Sequence, residues 1–206
     1  MVVGEGFDRA VLDWFVGHRE PWLDTVMQVV TLLGGSALLI PLVVAVGAWY
    51  WRRLGTSRPF TLLAVAYGGS HVLSQSIKAL VGRPRPPAEL IVGDYSGFAF
   101  PSGHATQAAA VWLMLAVVLA AGLPSRQKAW VWVAATSTVG VVGITRLYLA
   151  AHWLTDVLGG WALGSLWSLV VLAASQAVRE RRDLPEARAR IEACDPSPST
   201  RTASPN

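Results

Sequence analysis

Three short stretches, distant in the chain, carry the residues best suited to chemistry: KALVGRPRP from Lys78 to Pro86, PSGH from Pro101 to His104, and TRLYLAAHWLTD from Thr145 to Asp156. His152 and Asp156 stand four residues apart, so on a helix they share a face. A carboxylate there can hold an imidazole in one tautomer and stabilise its charged form. Held in that way, His152 can attack phosphorus and carry the phosphoryl group as a phosphohistidine. His104, arriving from another segment, can protonate the departing alkoxide and later activate water. Lys78, Arg85 and Arg146 add positive charge; guanidinium forks match phosphate oxygens two at a time, while the ammonium acts as a point charge. Pro101, Ser102 and Gly103 lead into an apolar run that begins near His104. Backbone N–H groups at a helix start of this kind hold anions, and Gly103 permits close approach. A tetrahedral phosphate is the natural guest.

The surrounding chain predicts a membrane scaffold. Of its 206 residues, 53% are hydrophobic and only 15% charged, against about 25% charge in a typical soluble domain. Mean hydropathy is +0.43. Ten tryptophans strengthen the reading, because indoles favour the membrane interface. The net charge of +4 is spread in short clusters between apolar runs, a topology signal and not a nucleic-acid stripe. Cys194 is the only cysteine, so no intramolecular disulfide or thiolate metal site can form. The first twenty residues carry Glu5, Asp8, Asp13 and Glu20 and do not read as a signal peptide.

The periodicity predicts an all-α, polytopic helical bundle of about five transmembrane helices, preceded by an amphipathic interfacial helix. In FDRAVLDWFV (residues 7–16), Phe7, Val11, Trp14 and Phe15 fall on one side, with Asp8, Arg9 and Asp13 opposite. Residues 22–33 are apolar but too short to span, and Gly34, Gly35 and Ser36 interrupt them before an apolar run over 37–51. This reads as a re-entrant or tilted piece followed by a full span. Further spans are predicted over 60–81, 104–122, 129–149 and 153–178. The chain thus divides into an interfacial helix (1–21), a transmembrane domain (22–178) and a charged tail (179–206). That tail continues first as a charged helix and ends in a disordered Pro/Ser/Thr-rich stretch.

One set of loops holds Arg52, Arg53, Arg58, Arg126, Lys128 and five arginines between Arg179 and Arg190. The opposite set holds Arg9, Arg19, Lys78, Arg83, Arg85 and Arg146, which makes ten basic residues against six. The positive-inside rule places the richer side and the C-terminus in the cytoplasm. All three chemical stretches then lie at the extracytoplasmic face of a cell membrane. Ionisable groups gathered at one membrane depth are functional candidates.

These stretches resemble the signature of the type 2 phosphatidic acid phosphatase family. Lys78, Arg85 and Pro86 match its first motif, Pro101 to His104 its second, and Arg146, His152 and Asp156 its third, with Thr145 in place of the family's serine. The substitution keeps a hydroxyl. LTDVLGGWALG, residues 154–164, is similar to the helix that follows the third motif. The resemblance implies a compact helical core and metal-independent hydrolysis of phosphomonoesters or pyrophosphates without a cofactor. It also implies His152 as nucleophile, His104 as acid and base, Asp156 as the orienting carboxylate, and Lys78, Arg85, Ser102, Gly103 and Arg146 as phosphate binders. Larger bacterial members often carry one more N-terminal span, so five crossings are expected here instead of six.

Blander readings apply elsewhere. His71, beside Ser70 and Ser74, reads as a hydrogen-bonding group between helices, and His18 as an interfacial surface residue. Gly160, Gly164 and Ser168 form a small-residue line suited to close helix packing. Arg83 reads equally as an extra phosphate contact or a headgroup contact, and the loop over 87–100 offers Asp94 and Tyr95 to a headgroup. The few carboxylates among several cations are the reverse of what divalent metals prefer. The expected substrate is a membrane lipid or polyprenyl phosphate entering sideways from the bilayer; nucleic acid is not an expected partner, and oligomeric state is not fixed. A phosphotransferase with the same phosphohistidine, a vanadate-dependent haloperoxidase and a non-enzymatic channel are the rival readings, the haloperoxidase disfavoured by the small, membrane-embedded chain.

Overall fold

The computed structural model describes residues 5–194. Among them are seven α-helices and no strand: α1 (Glu5–Gly17), α2 (Pro21–Val30), α3 (Ser36–Leu54), α4 (Arg58–Val81), α5 (Gly103–Ala120), α6 (Ser125–Tyr148) and α7 (Leu154–Cys194). Their ends follow local chemistry. Pro21 opens α2, where its fixed φ is already helical. Gly55 and Gly82 close α3 and α4 in the left-handed region, at φ of 64° and 61°. Residues up to Val171 form one compact unit, and the length of α7 from Leu172 belongs to a second. The helix runs through the charged stretch to Cys194. The Pro/Ser/Thr-rich end of the chain lies outside the described residues.

Four helices are long and apolar enough to cross a membrane: α3, α5, α6 and Leu154–Arg181 of α7. α4 has 24 residues, about 36 Å at 1.5 Å per residue, but the run Gly68–Ser76 lowers its hydropathy. Several of those polar groups turn inward: Ser70 and Ser74 are buried, and His71 meets Gln107 of α5 at 2.8 Å, the cross-helix bond its setting predicted. α5 is the centre of the bundle. Two-thirds of its span is buried (67%), against 17% for α3, and Ala105, Ala108, Ala109 and Ala110 are wholly inaccessible. Small residues let neighbours come close. A Cβ on Gly160 would stand 2.8 Å from the Ser102 carbonyl, one on Gly164 would collide with the Thr106 carbonyl, and Ser168 donates to the Ala110 carbonyl at 2.8 Å.

The apolar piece before α3 is short, as expected: α2 leads into a 3₁₀ turn, Thr31–Gly34, and Gly35 is the cap before α3. A Cβ on Gly34 would lie 2.9 Å from the His104 carbonyl, and one on Gly35 would lie 3.4 Å from His104 Nε2. The glycine pair therefore does more than interrupt a helix; it lets this segment lean on α5 at His104.

α1 differs from its sequence reading in which face it buries. Asp8 and Leu12 are buried, with Val11 and Phe15 packed against the core, while Phe7 and Trp14 point outward. Positions 8, 11, 12 and 15 form as regular a helical stripe as 7, 11, 14 and 15. The carboxylate wins the inward place because strong donors await it.

Candidate active site

The three stretches converge where α4 ends, α5 begins and α6 turns into α7. They border a cavity of about 630 Å³ lined by Lys78, Arg85, Gly103, His104, Arg146 and His152, with Gln75, Gln107, Ser36 and the loop residues Asp94–Phe98. Ala150 reverses the chain between α6 and α7 at a positive φ of 50°, a conformation that costs a non-glycine residue about 1–2 kcal/mol. That turn aims His152 back into the cavity.

His152 is 3% exposed. Its Nδ1 lies 3.5 Å from Asp156 Oδ2, and its Nε2 lies 3.3 Å from an Arg85 guanidinium nitrogen. The arrangement suits a proton on Nδ1 and a lone pair on Nε2 facing the cavity. Burial, followed by the charges of Arg146, Arg85, Lys78 and His104, holds its pKa well below the usual histidine value. Because a depressed pKa disfavours the cation, the imidazole is neutral at pH 7 and fit to act as a nucleophile.

The cations are held by neutral groups. Arg85 donates to the carbonyls of Gly97, Ser96 and Ala151 at 2.7–2.9 Å, and Lys78 donates to those of Phe98 and Ala99. Burial and then the nearby Arg146 pull Arg85 below the usual guanidinium range, although a guanidinium stays charged in any protein setting. Arg146 is 1% exposed, donates to Thr31 at 3.0 Å, and packs over the Tyr95 ring at 4.2 Å. Its Nε has no partner. Positive charge collected without carboxylate partners is a binding site for an anion.

At the start of α5, Thr106 N–H makes the first helical bond, to the Ser102 carbonyl. Gly103 lines the cavity at the N-terminal turn where donors have no helical acceptor. Ser102 ties α5 to α7 through its N–H, which goes to the Asp156 carbonyl at 2.9 Å, and its buried hydroxyl has no partner within the protein. Thr145 donates back to the Val142 carbonyl at 2.6 Å.

Two residues outside the expected set stand beside it. Arg83 faces neither the cavity nor the exterior alone; its two terminal nitrogens bond Asp156, Thr155 and Asp8 at 2.6–2.7 Å. Burial would raise the Asp8 carboxyl, but hydrogen bonds from Thr155 and Arg83 outweigh it and hold the group below its usual value. No sequence signal separates Asp8 from the other acids of α1 except its place on the 8, 11, 12, 15 stripe.

Several known proteins are similar to this chain in sequence and fold. The PAP2 superfamily model matches residues 59–180. Phosphatidylglycerophosphatase B of Bacillus subtilis is 36% identical over 179 residues, covering 85% of this chain and 86% of that protein. An undecaprenyl-diphosphatase of Sulfolobus acidocaldarius is 28% identical over 121 residues, 55% of this chain and 52% of its own. The crystal structure of a transmembrane PAP2-type phosphatidylglycerolphosphate phosphatase from Bacillus subtilis superposes with a TM-score of 0.81 at 34% identity, covering 86% of this chain and 89% of the other.

Proposed function

The chain belongs to the PAP2 superfamily and is a membrane lipid phosphatase; we propose that it cleaves the phosphate ester or pyrophosphate of a lipid through a phosphohistidine on His152. The observation that carries this reading is His152 itself, with Nε2 turned to a cation-lined cavity and Nδ1 against Asp156.

Lys78, Arg85 and Arg146 grip the phosphate, assisted by backbone N–H groups at Gly103. Nε2 attacks phosphorus in line with the leaving oxygen, the P–O bond breaks, and His104 delivers a proton to that oxygen. The substrate dianion supplies the negative charge that an imidazolium at His104 needs among these cations. His104 then takes a proton from water, whose oxygen displaces His152 and releases inorganic phosphate. Side-chain cations neutralise the phosphoryl oxygens, so the pathway is metal-independent. Residues 1–21 rest on the membrane surface, 22–178 form the catalytic domain, and the charged tail lies in the cytoplasm with the cavity on the opposite side. Phosphatidylglycerol phosphate is the first candidate substrate, because the relative matched over most of its length is a phosphatidylglycerophosphatase. Undecaprenyl pyrophosphate follows, with phosphatidic acid and a polyprenyl-phosphoryl pentose phosphate behind it.

The test is a panel of these four lipids presented to the purified protein in detergent, with and without EDTA, scoring free phosphate. Release from one or two members, unaffected by chelation, is the expected result. Label passing to a lipid or sugar acceptor instead of water would make the protein a transferase. Loss with EDTA that one divalent ion restores would overturn the mechanism.

A further inference from the structure

We propose that Asp8 and Arg83, neither of them one of the residues that match the three motifs, are positioning residues for the nucleophile, holding Asp156, and through it His152. The proposal rests on the reading of His152 as nucleophile.

The geometry is closed around Asp156, while His152 Nδ1 stands 3.5 Å from Oδ2 with no hydrogen-bond partner in the protein. Asp156 is fully buried. Its Oδ2 accepts from the Trp153 N–H at 2.9 Å and faces His152 Nδ1, while its Oδ1 accepts from Arg83 at 2.6 Å. A carboxylate bonded at both oxygens cannot rotate, so Oδ2 stays directed at the imidazole. Arg83 is fixed in turn by Asp8, which arrives from α1 and bonds it at 2.7 Å. Asp8 also accepts from the Thr155 N–H at 2.9 Å and from its hydroxyl at 2.6 Å. It thus caps the first turn of α7 from another helix, and a carboxylate suits that end of the helix. Trp153 covers the assembly, its ring 5.8 Å from the Arg83 guanidinium carbon.

Charge makes the pair interdependent. Two buried carboxylates, Asp8 and Asp156, share one guanidinium. The other charged groups acting on Asp156 or His152 are Lys78 of α4, Arg85 of the following loop, Arg146 of α6 and His104 of α5, all on the cavity side. Without Arg83, the two carboxylates would repel across Thr155 with no cation between them. Without Asp8, Arg83 would be free to turn wholly onto Asp156 and weaken its hold on His152. A mere staple between α1 and α7 would not give this interdependence.

The experiment compares Arg83→Gln, Arg83→Lys, Asp8→Asn and the double variant Asp8→Asn/Arg83→Gln as purified proteins, measuring kcat, KM and thermal unfolding. Residues that orient the groups making first contact are typically worth about 10- to 100-fold. Arg83→Gln should therefore lose about that much in kcat with KM little changed, and Arg83→Lys should recover part of it. The double variant should be faster than Arg83→Gln, because removing the second carboxylate relieves the repulsion. A wild-type kcat in folded Arg83→Gln would overturn the proposal. So would a double variant slower than either single, its loss tracking the fall in melting temperature, since that is the signature of a staple. His152→Ala is assayed alongside: turnover there would overturn the nucleophile reading and this proposal with it. An inert His152→Ala beside wild-type-like Arg83→Gln overturns this proposal alone.

Discussion

His152 and His104 are the same side chain in two surroundings, and the proposed mechanism gives them different work. His152 is enclosed between Asp156 and Arg85, whereas His104 stands at the start of α5 with its Nε2 close to Gly35. If His104 serves as the acid, its value depends on the leaving group. A lipid alkoxide needs a proton as the bond breaks; a nitrophenolate does not. General acid assistance is worth about 10²–10⁴-fold, so His104→Ala should lose that much on lipid yet still form the phosphoenzyme from p-nitrophenyl phosphate. His152→Ala should fail on both substrates. Single-turnover trapping of each variant with each substrate reads the answer, and equal losses in His104→Ala would make His104 a binding or structural residue. Both histidines, Asp156 and the motif cations were legible in the sequence because their spacing is local or their types are unusual beside apolar spans. Asp8 was not legible, since an acid on an amphipathic helix reads as the wet face. The pull that turns it inward comes from Arg83 and Thr155, 75 and 147 residues away.

The elements hold these residues by close approach, with small side chains in place of bulky interdigitation. α7 lies against α5 along Gly160, Gly164 and Ser168, and the same two helices carry Asp156 and His104. Replacing glycine by alanine inside a helix normally gains up to about 1 kcal/mol. At Gly140, where no heavy atom stands within 4 Å of an added Cβ, Gly140→Ala should be neutral or stabilising. At Gly164 the added methyl would collide with the Thr106 carbonyl and stand 2.9 Å from Ala109 Cβ. Gly164→Ala should therefore cost about 1–3 kcal/mol and reduce kcat as α7 moves from α5. Unfolding of the two variants in detergent checks the opposite signs, and a stabilised Gly164→Ala would mean the seam is looser than described. The spans themselves could be read from hydropathy and turn residues. The course of residues 21–35 could not, because hydropathy shows that the piece is too short to span but not what it touches. Only contact with His104 and Arg146 explains why Gly34, Gly35 and Thr31 stand there.

For the whole molecule the open question is which way the bundle faces. The hairpin turns after α3 and α5 lie at one end, flanked by Arg52, Arg53, Arg58, Arg126 and Lys128. The loop between α4 and α5 and the turn between α6 and α7 lie at the other end, with the cavity. Basic residues at that second end have local duties: Arg85 and Lys78 hold loop carbonyls, Arg83 holds two carboxylates, and Arg19 donates to Tyr148 and Leu90 carbonyls. Among the described residues, Arg52, Arg53, Arg58 and Arg126 have no such set of backbone partners, which supports reading them as topology determinants. The cavity should then open on the extracytoplasmic side. Ser96→Cys and Ser57→Cys, each in a Cys194→Ser background, place single thiols at exposed positions on the two ends. In intact cells an impermeant maleimide should label Ser96→Cys and spare Ser57→Cys; after the membrane is permeabilised, both should react. Labelling of Ser57→Cys alone before permeabilisation would put the cavity in the cytoplasm, and lipid phosphates of the inner leaflet would become its substrates.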